Sequence, residues 1–314
     1  MTSASSAPHP SSRSERGSSA PAAPSAGPAP AALPPVLDTA QLHALREDAA
    51  AGGRALHLLD VRWALDGSKG EHDHLAGHLP GAVYVDLGTE LAAPARPEAG
   101  RHPLPDPADF AATLRRLGVT EGSRIVAYDD ADGGPAARLV WMLRALGHEA
   151  SVLSGGLHAW NGPLESGPVT TEPGDVPVRD WPADRIASAD EVAELAASEE
   201  AVVIDARAPE RYRGEVEPID PRAGHVPGAV NLPYAGNLDP ERRFLPPEEL
   251  RERFEAAGVT ADGEAVVYCG SGVTATHDLL ALEAAGFPRV RLFPGSWSQW
   301  SADPERPVAV GPNP

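Results

Sequence analysis

The chain has 314 residues, 42% of them hydrophobic, and a formal net charge of −19 at pH 7. That length accommodates two ordinary globular domains, each with its own core. No run approaches the roughly 20 apolar residues of a membrane span, and the N-terminus lacks a basic-then-apolar secretory pattern, so a soluble, cytoplasmic protein is expected. The acidity excludes broad affinity for nucleic acid or anionic membrane, because both need a basic face; an anionic ligand has to be drawn in by a local cluster of cations.

Residues 1–35 are mostly Ser, Ala and Pro with little to bury, and are expected to form a disordered tail. After them the same order of elements runs twice. Asp38-Thr39-Ala40-Gln41-Leu42 opens a capped helix, as does Ser188-Ala189-Asp190-Glu191-Val192. Apolar strands ending in Asp follow, Leu58-Leu59-Asp60-Val61-Arg62 and Val203-Ile204-Asp205-Ala206-Arg207, then the turns Gly77-His78-Leu79-Pro80-Gly81-Ala82-Val83 and Gly224-His225-Val226-Pro227-Gly228-Ala229-Val230. Helices entered at Pro107 and Pro247 end at Gly118 and Gly258. The strands Ile125–Tyr128 and Ala265–Tyr268 each feed a helix, and each copy closes on a glycine turn and tryptophan, at Trp160 and at Trp297 and Trp300.

Strands alternating with helices predict an α/β fold: two tandem domains, each a mainly parallel sheet with helices on both faces. The expected boundaries are 36–162 for the first, 163–183 for a Pro- and Gly-rich linker, 184–300 for the second, and 301–314 for a trailing tail.

Where the copies differ, chemistry is expected. The strand ending in Tyr268 leads into Cys269-Gly270-Ser271-Gly272-Val273-Thr274-Ala275, whereas Asp129 stands at the cysteine's place in the first copy. Cys269 is the chain's single cysteine, which rules out an internal disulfide framework or a cysteine-based zinc site. It is either a small core hydrophobe or a reactive thiol. A strand end, a glycine-rich turn and a helix start aim several N–H groups at one point and stabilise an anion there, which favours a thiolate at Cys269. Arg207 and Arg211 lie just past the strand ending in Asp205, at the edge where parallel sheets bind ligands. Arg207 is echoed by Arg62, so it either pairs with Asp205 or assists a ligand; Arg211 has Asp66 as its counterpart by position and is expected to bind an anion.

The tandem repeat, the Cys269–Ala275 loop, Asp205-Ala206-Arg207, Arg211-Tyr212 and the His-x-Pro-Gly-Ala turns at 78–82 and 225–229 together resemble the two-domain rhodanese-like sulfurtransferases. The resemblance covers roughly Val36 to Trp300 and implies an inactive N-terminal rhodanese-like domain, a catalytic C-terminal one, and an active site between them. Thiosulfate-specific members place two basic residues after the cysteine. The 3-mercaptopyruvate branch carries Cys-Gly-Ser-Gly-Val-Thr, as at 269–274 here. An enolate leaving group benefits from a proton donor, and Ser271 can supply one.

By that resemblance, Cys269 is the persulfide carrier and Ser271 is linked to His78, with Asp73 or Asp66 as the acidic partner; a turn-stabilising hydrogen bond is the other reading of His78 and the one expected of His225. Arg211, helped by Arg207, is expected to hold the donor, with Gly270, Gly272, Val273 and Thr274 cradling the persulfide. The expected partners are a small anionic sulfur donor (3-mercaptopyruvate or thiosulfate) and a thiol, thioredoxin-like or cyanide acceptor, with no metal or organic cofactor. A cysteine phosphatase would need an arginine where Ala275 stands. A thiosulfate-preferring enzyme and a non-catalytic sulfur-relay or redox-sensing module are the remaining alternatives.

Overall fold

The computed structural model describes residues 32–198 and 200–314; the expected tail lies outside these residues up to position 31. Several helices start where a side chain supplies a cap. The first half begins with β1 (Val36–Leu37) and α1 (Thr39–Ala50), the latter entered through a capping box in which the Asp38 carboxylate and the Gln41 amide exchange bonds with each other's backbone N–H. There follow β2 (Leu56–Asp60), α2 (Glu71–Ala76), β3 (Val83–Tyr84), α3 (Leu87–Glu90) and α4 (Pro107–Arg116), capped by Asp106 with Pro107 inside the first turn. β4 (Arg124–Tyr128), α5 (Gly134–Ala145) and β5 (Glu149–Leu153) complete it.

The second half repeats the order: α6 (Ala189–Ala196) behind a Ser188–Glu191 capping box, β6 (Ala201–Asp205), α7 (Pro209–Tyr212), β7 (Val230–Asn231), α8 (Pro247–Ala256), β8 (Glu264–Tyr268), α9 (Ala275–Ala284), β9 (Val290–Leu292) and α10 (Ser296–Ala302). The sheets run β1-β5-β4-β2-β3 and β7-β6-β8-β9, with every pairing parallel. They share one topology. Where the first sheet has β1, the second has a parallel bridge from Ile186 to Leu292. Asp129 and Cys269 therefore leave equivalent central strands, at the carboxyl edge.

The halves join through α5 and α9, which pack on each other, and the apolar residues on the joined sides form one continuous core including Leu139, Leu143, Leu279 and Leu282. Smaller clusters fill the outer faces, around Tyr128 in the first half and around Tyr268, Trp297 and Trp300 in the second. Among the described residues no helix is long and apolar enough to cross a membrane.

Two connecting stretches are more ordered than composition suggests. Residues 163–183 run along the first half: Val176 is buried, the Arg115 guanidinium donates to its carbonyl at 2.9 Å, and Trp181 Nε1 donates to the Pro105 carbonyl at 2.8 Å. The expected trailing tail at 301–314 is docked instead. Arg222 donates to the carbonyls of Ser301 and Arg306 at 2.8 Å each, His225 and Ala309 form a bridge, and Trp300 Nε1 reaches the Pro307 carbonyl at 2.8 Å. Backbone carbonyls are acceptors whatever the residue type, so composition alone could not reveal this docking.

Candidate active site

Cys269 directly follows β8 and is 2% exposed, yet it lines a cleft of about 260 Å³ between the two halves. Trp63, Leu65, Arg101 and His102 of the first half face Arg211, Ile219, Tyr234 and the Cys269 loop of the second across it. The loop is held from behind: the Ser296 hydroxyl accepts the Cys269 N–H at 3.1 Å, and the N–H groups of Trp297 and Ser298 bind the carbonyls of Cys269 and Gly270 at 2.9 Å each. Gly272 donates its N–H to the Cys269 sulfur at 3.2 Å. It does so at φ +76°, where a Cβ would lie 2.4 Å from the Pro294 carbonyl oxygen, so only glycine fits. The N–H groups of Gly270, Ser271, Val273 and Thr274 meet no protein acceptor among the described residues.

The histidine beside Ser271 is not the expected one. His78 is fully buried in its turn, bonded through Nδ1 to the His74 carbonyl at 2.7 Å and stacked on the His74 ring. His225 repeats this on Tyr212, with a 2.7 Å bond and a stacked ring. Both are turn-stabilising residues, and His78 does not reach Ser271. His102 does: its Nδ1 lies 2.8 Å from the Ser271 hydroxyl. Burial pushes the His102 pKa down to about 4, with the Arg138 and Arg101 charges acting in the same direction, so the ring is neutral at physiological pH. Neither expected acid touches His78 or His102. Asp73 accepts the Gly70 N–H and sits beside His72 and Lys69, while Asp66 accepts the Ser68 N–H.

The arginines also separate. Arg207 is buried, pairs with Asp205 through Nη2 at 2.6 Å, donates to the Gly224 carbonyl and lies over the Trp297 ring. Arg62 repeats the pairing with Asp60 and the bond to the Gly77 carbonyl. Arg207 therefore braces the fold and does not line the cleft. Arg211 does line it, paired with Glu217 at 2.7 Å and Asp220 at 3.2 Å. Its structural counterpart is Asp73, since each directly precedes the residue stacked on the turn histidine; the Asp66 match failed because the connecting loops differ in length.

Sequence reasoning missed Arg101. It pairs with Asp220 at 2.7 Å, and its guanidinium and that of Arg211 both come within 3.3 Å of a Cβ placed on Gly270. The Nε atoms of Arg101 and Arg211 are buried without a protein partner. Gly100 makes the approach: at φ +89°, its Cβ would fall 2.5 Å from the Gly295 carbonyl oxygen, so the loop carrying Arg101 and His102 packs directly on the turn before α10. An Arg-His pair in a Gly- and Pro-rich loop, with no counterpart in the second copy, was the available signal.

A rhodanese-like domain profile matches residues 38–163 and again 188–303. The chain belongs to the rhodanese-like domain family, with two copies in tandem. A probable 3-mercaptopyruvate sulfurtransferase of Pseudomonas aeruginosa is 48% identical over 265 residues, covering 82% of this chain and 93% of the relative. A putative thiosulfate sulfurtransferase of Mycobacterium tuberculosis is 42% identical over 266 residues, covering 82% and 92%. The crystal structure of SseA from Escherichia coli, described as a 3-mercaptopyruvate sulfotransferase, superposes with a TM-score of 0.72 at 32% identity over 84% of this chain and 99% of that one. Within the family, the protein is an enzyme, a sulfurtransferase.

Proposed function

We propose that the enzyme takes sulfur from 3-mercaptopyruvate onto Cys269 as a persulfide and delivers it to a thiol, a thioredoxin-like protein or cyanide. The observation that carries this reading is the Ser271–His102 contact of 2.8 Å, reached across the two halves beside the cysteine. The donor's carboxylate binds the guanidinium groups Arg211 Nη1 and Arg101 Nη2, which stand over Gly270 at the cleft. The Cys269 thiolate attacks the donor sulfur; the S–S bond forms and the C–S bond breaks, its electron pair passing to the methylene carbon as the pyruvate enolate. His102, neutral and protonated on Nδ1, donates to the Ser271 oxygen, so the Ser271 hydroxyl passes its hydrogen to that carbon and takes in its place the thiol proton of the donor, which leaves the persulfide as the anion. The unassigned N–H groups of Gly270, Ser271, Val273 and Thr274 are available to the persulfide anion, beside the Gly272 N–H already on the sulfur. In the second half-reaction the acceptor thiolate attacks the outer sulfur, and the Cys269 thiolate is released.

Incubation with 3-mercaptopyruvate followed by intact-protein mass spectrometry tests the first step. The expected result is one added sulfur, removed by cyanide; an unchanged mass refutes it. Thiosulfate as preferred donor is the second reading, favoured by the two cleft guanidiniums, which suit a departing sulfite. The ratio of kcat/KM for the two donors decides between them.

A further inference from the structure

Arg138, on α5, has no exposed surface. Among the described residues no carboxylate lies within ion-pair distance of it, and its donors go to main-chain carbonyls: Nη1 to Gly272 at 2.9 Å, Nη2 to Leu91 and His102 at 3.1 Å each and to Pro103 at 3.4 Å. A buried cation without a counter-ion is costly, and an apolar side chain of similar length would avoid that cost. The charge close enough to offset the burial is the Cys269 sulfur, whose attraction works against the fall of the Arg138 pKa to about 10.

The bonds close a ring. The Gly272 N–H is on the Cys269 sulfur, the Gly272 carbonyl is on Arg138, Arg138 holds the His102 carbonyl, and the His102 ring is on Ser271, between Cys269 and Gly272 in the chain. Two loops from different halves are thus referred to one guanidinium.

We propose that Arg138 is a positioning residue for sulfur transfer: it sets the His102 loop of the first half against the Cys269 loop of the second and faces the sulfur with a fixed positive charge. It touches neither donor nor acceptor. A planar guanidinium can serve carbonyls of both loops at once, whereas an ammonium is a point charge on a flexible stem. The inference rests on the sulfur-transfer reading for its kinetic arm only; the chemical reactivity of the thiol is measured without any donor.

The test uses Arg138→Lys and Arg138→Met in the full chain, with circular dichroism and thermal melting to select folded protein. Folded Arg138→Lys is expected to lower kcat by about 100-fold through misplacement of His102 and Ser271 and to raise the donor KM by less, because Arg211 stands on α7, away from the His102 loop. In folded Arg138→Met, which removes the positive charge facing the sulfur, the rate of Cys269 alkylation by iodoacetamide at pH 7 is expected to fall about tenfold. Wild-type kcat in the folded lysine variant, or alkylation at or above the wild-type rate in the folded methionine variant, overturns the proposal. Wild-type protein that turns over neither donor would refute the sulfur-transfer reading and leave the alkylation comparison to judge Arg138.

Discussion

The two strand-end loops answer the same electrostatic problem differently. After β4 the Asp129 carboxylate accepts the N–H groups of Ala131, Gly133 and Ala136 at 2.8, 2.9 and 2.9 Å, so the first loop encloses a charge of its own. After β8 the same place holds a thiol that receives the Gly272 N–H alone, while the neighbouring N–H groups stay unassigned and open onto the cleft. A fixed carboxylate makes one loop a closed structural device. A smaller group at the same strand end leaves room for an anion that arrives with the substrate. The second difference lies deeper: nine positions after Asp129 and after Cys269 stand Arg138 and Asp278, and burial pushes Asp278 up to about 8 while Arg138 keeps its charge. The Cys269 loop thereby receives a hydrogen bond from a cation of the other half.

Turning the second loop into a copy of the first breaks this comparison most directly. Cys269→Asp is expected to abolish turnover of both donors, by at least ~1,000-fold, while the protein stays folded; measurable sulfur transfer by the folded variant would remove Cys269 from the mechanism.

A smaller effect separates the proton relay from the loop that carries it. Ser271→Ala and His102→Gln are each expected to lower 3-mercaptopyruvate turnover by about 100-fold, the low end of general acid–base contributions, and to lower thiosulfate turnover less, because sulfite leaves without a proton. Equal losses with both donors in steady-state assays would reduce Ser271 to a loop-shaping residue. His78→Gln, in the same assays, is expected to weaken the fold without splitting the donors.

The smallest effect concerns the enclosed charge of the first loop. Burial pushes Asp129 up to about 6, against the three N–H bonds that favour its ionised form. Between the ordinary value of 3.8 and about 6 the folded chain keeps a proton that the unfolded chain has lost. The stability tied to this group is therefore fully present below 3.8 and is lost as pH rises through 6, by up to ~3 kcal/mol. Asp129→Asn should remove that slope. Urea unfolding of both proteins from pH 4 to 7 checks it, and a difference that does not change with pH contradicts a raised Asp129.

Much of the site was legible because it is written locally. The strand-end cysteine, its glycines, and the Asp-x-Arg and His-x-Pro-Gly patterns each occupy a few consecutive residues, and the repeat supplied an internal control. The same control misled where the copies differ in length: Arg211 was matched to Asp66, and the structure matches it to Asp73 through the stacked rings of His74 and Tyr212. The histidine was misassigned for a related reason. His78 sits in a motif and drew attention, whereas His102 sits in an irregular loop that resembles nothing in the second half.

The sequence by itself determined the repeated α/β architecture, since periodicity, caps and turn glycines are local properties, and it set apart Cys269 as the point where the second copy carries a thiol in place of Asp129. Only the tertiary structure decided that Arg101 and His102 complete the cleft, that Arg207 is a brace, and that Arg138 spans both loops. The Arg101–Asp220, His102–Ser271 and Arg138–Gly272 contacts join residues more than a hundred positions apart, and Arg207 is fixed as a brace by a main-chain carbonyl, that of Gly224; neither distance in the chain nor a carbonyl acceptor leaves a side-chain pattern to read.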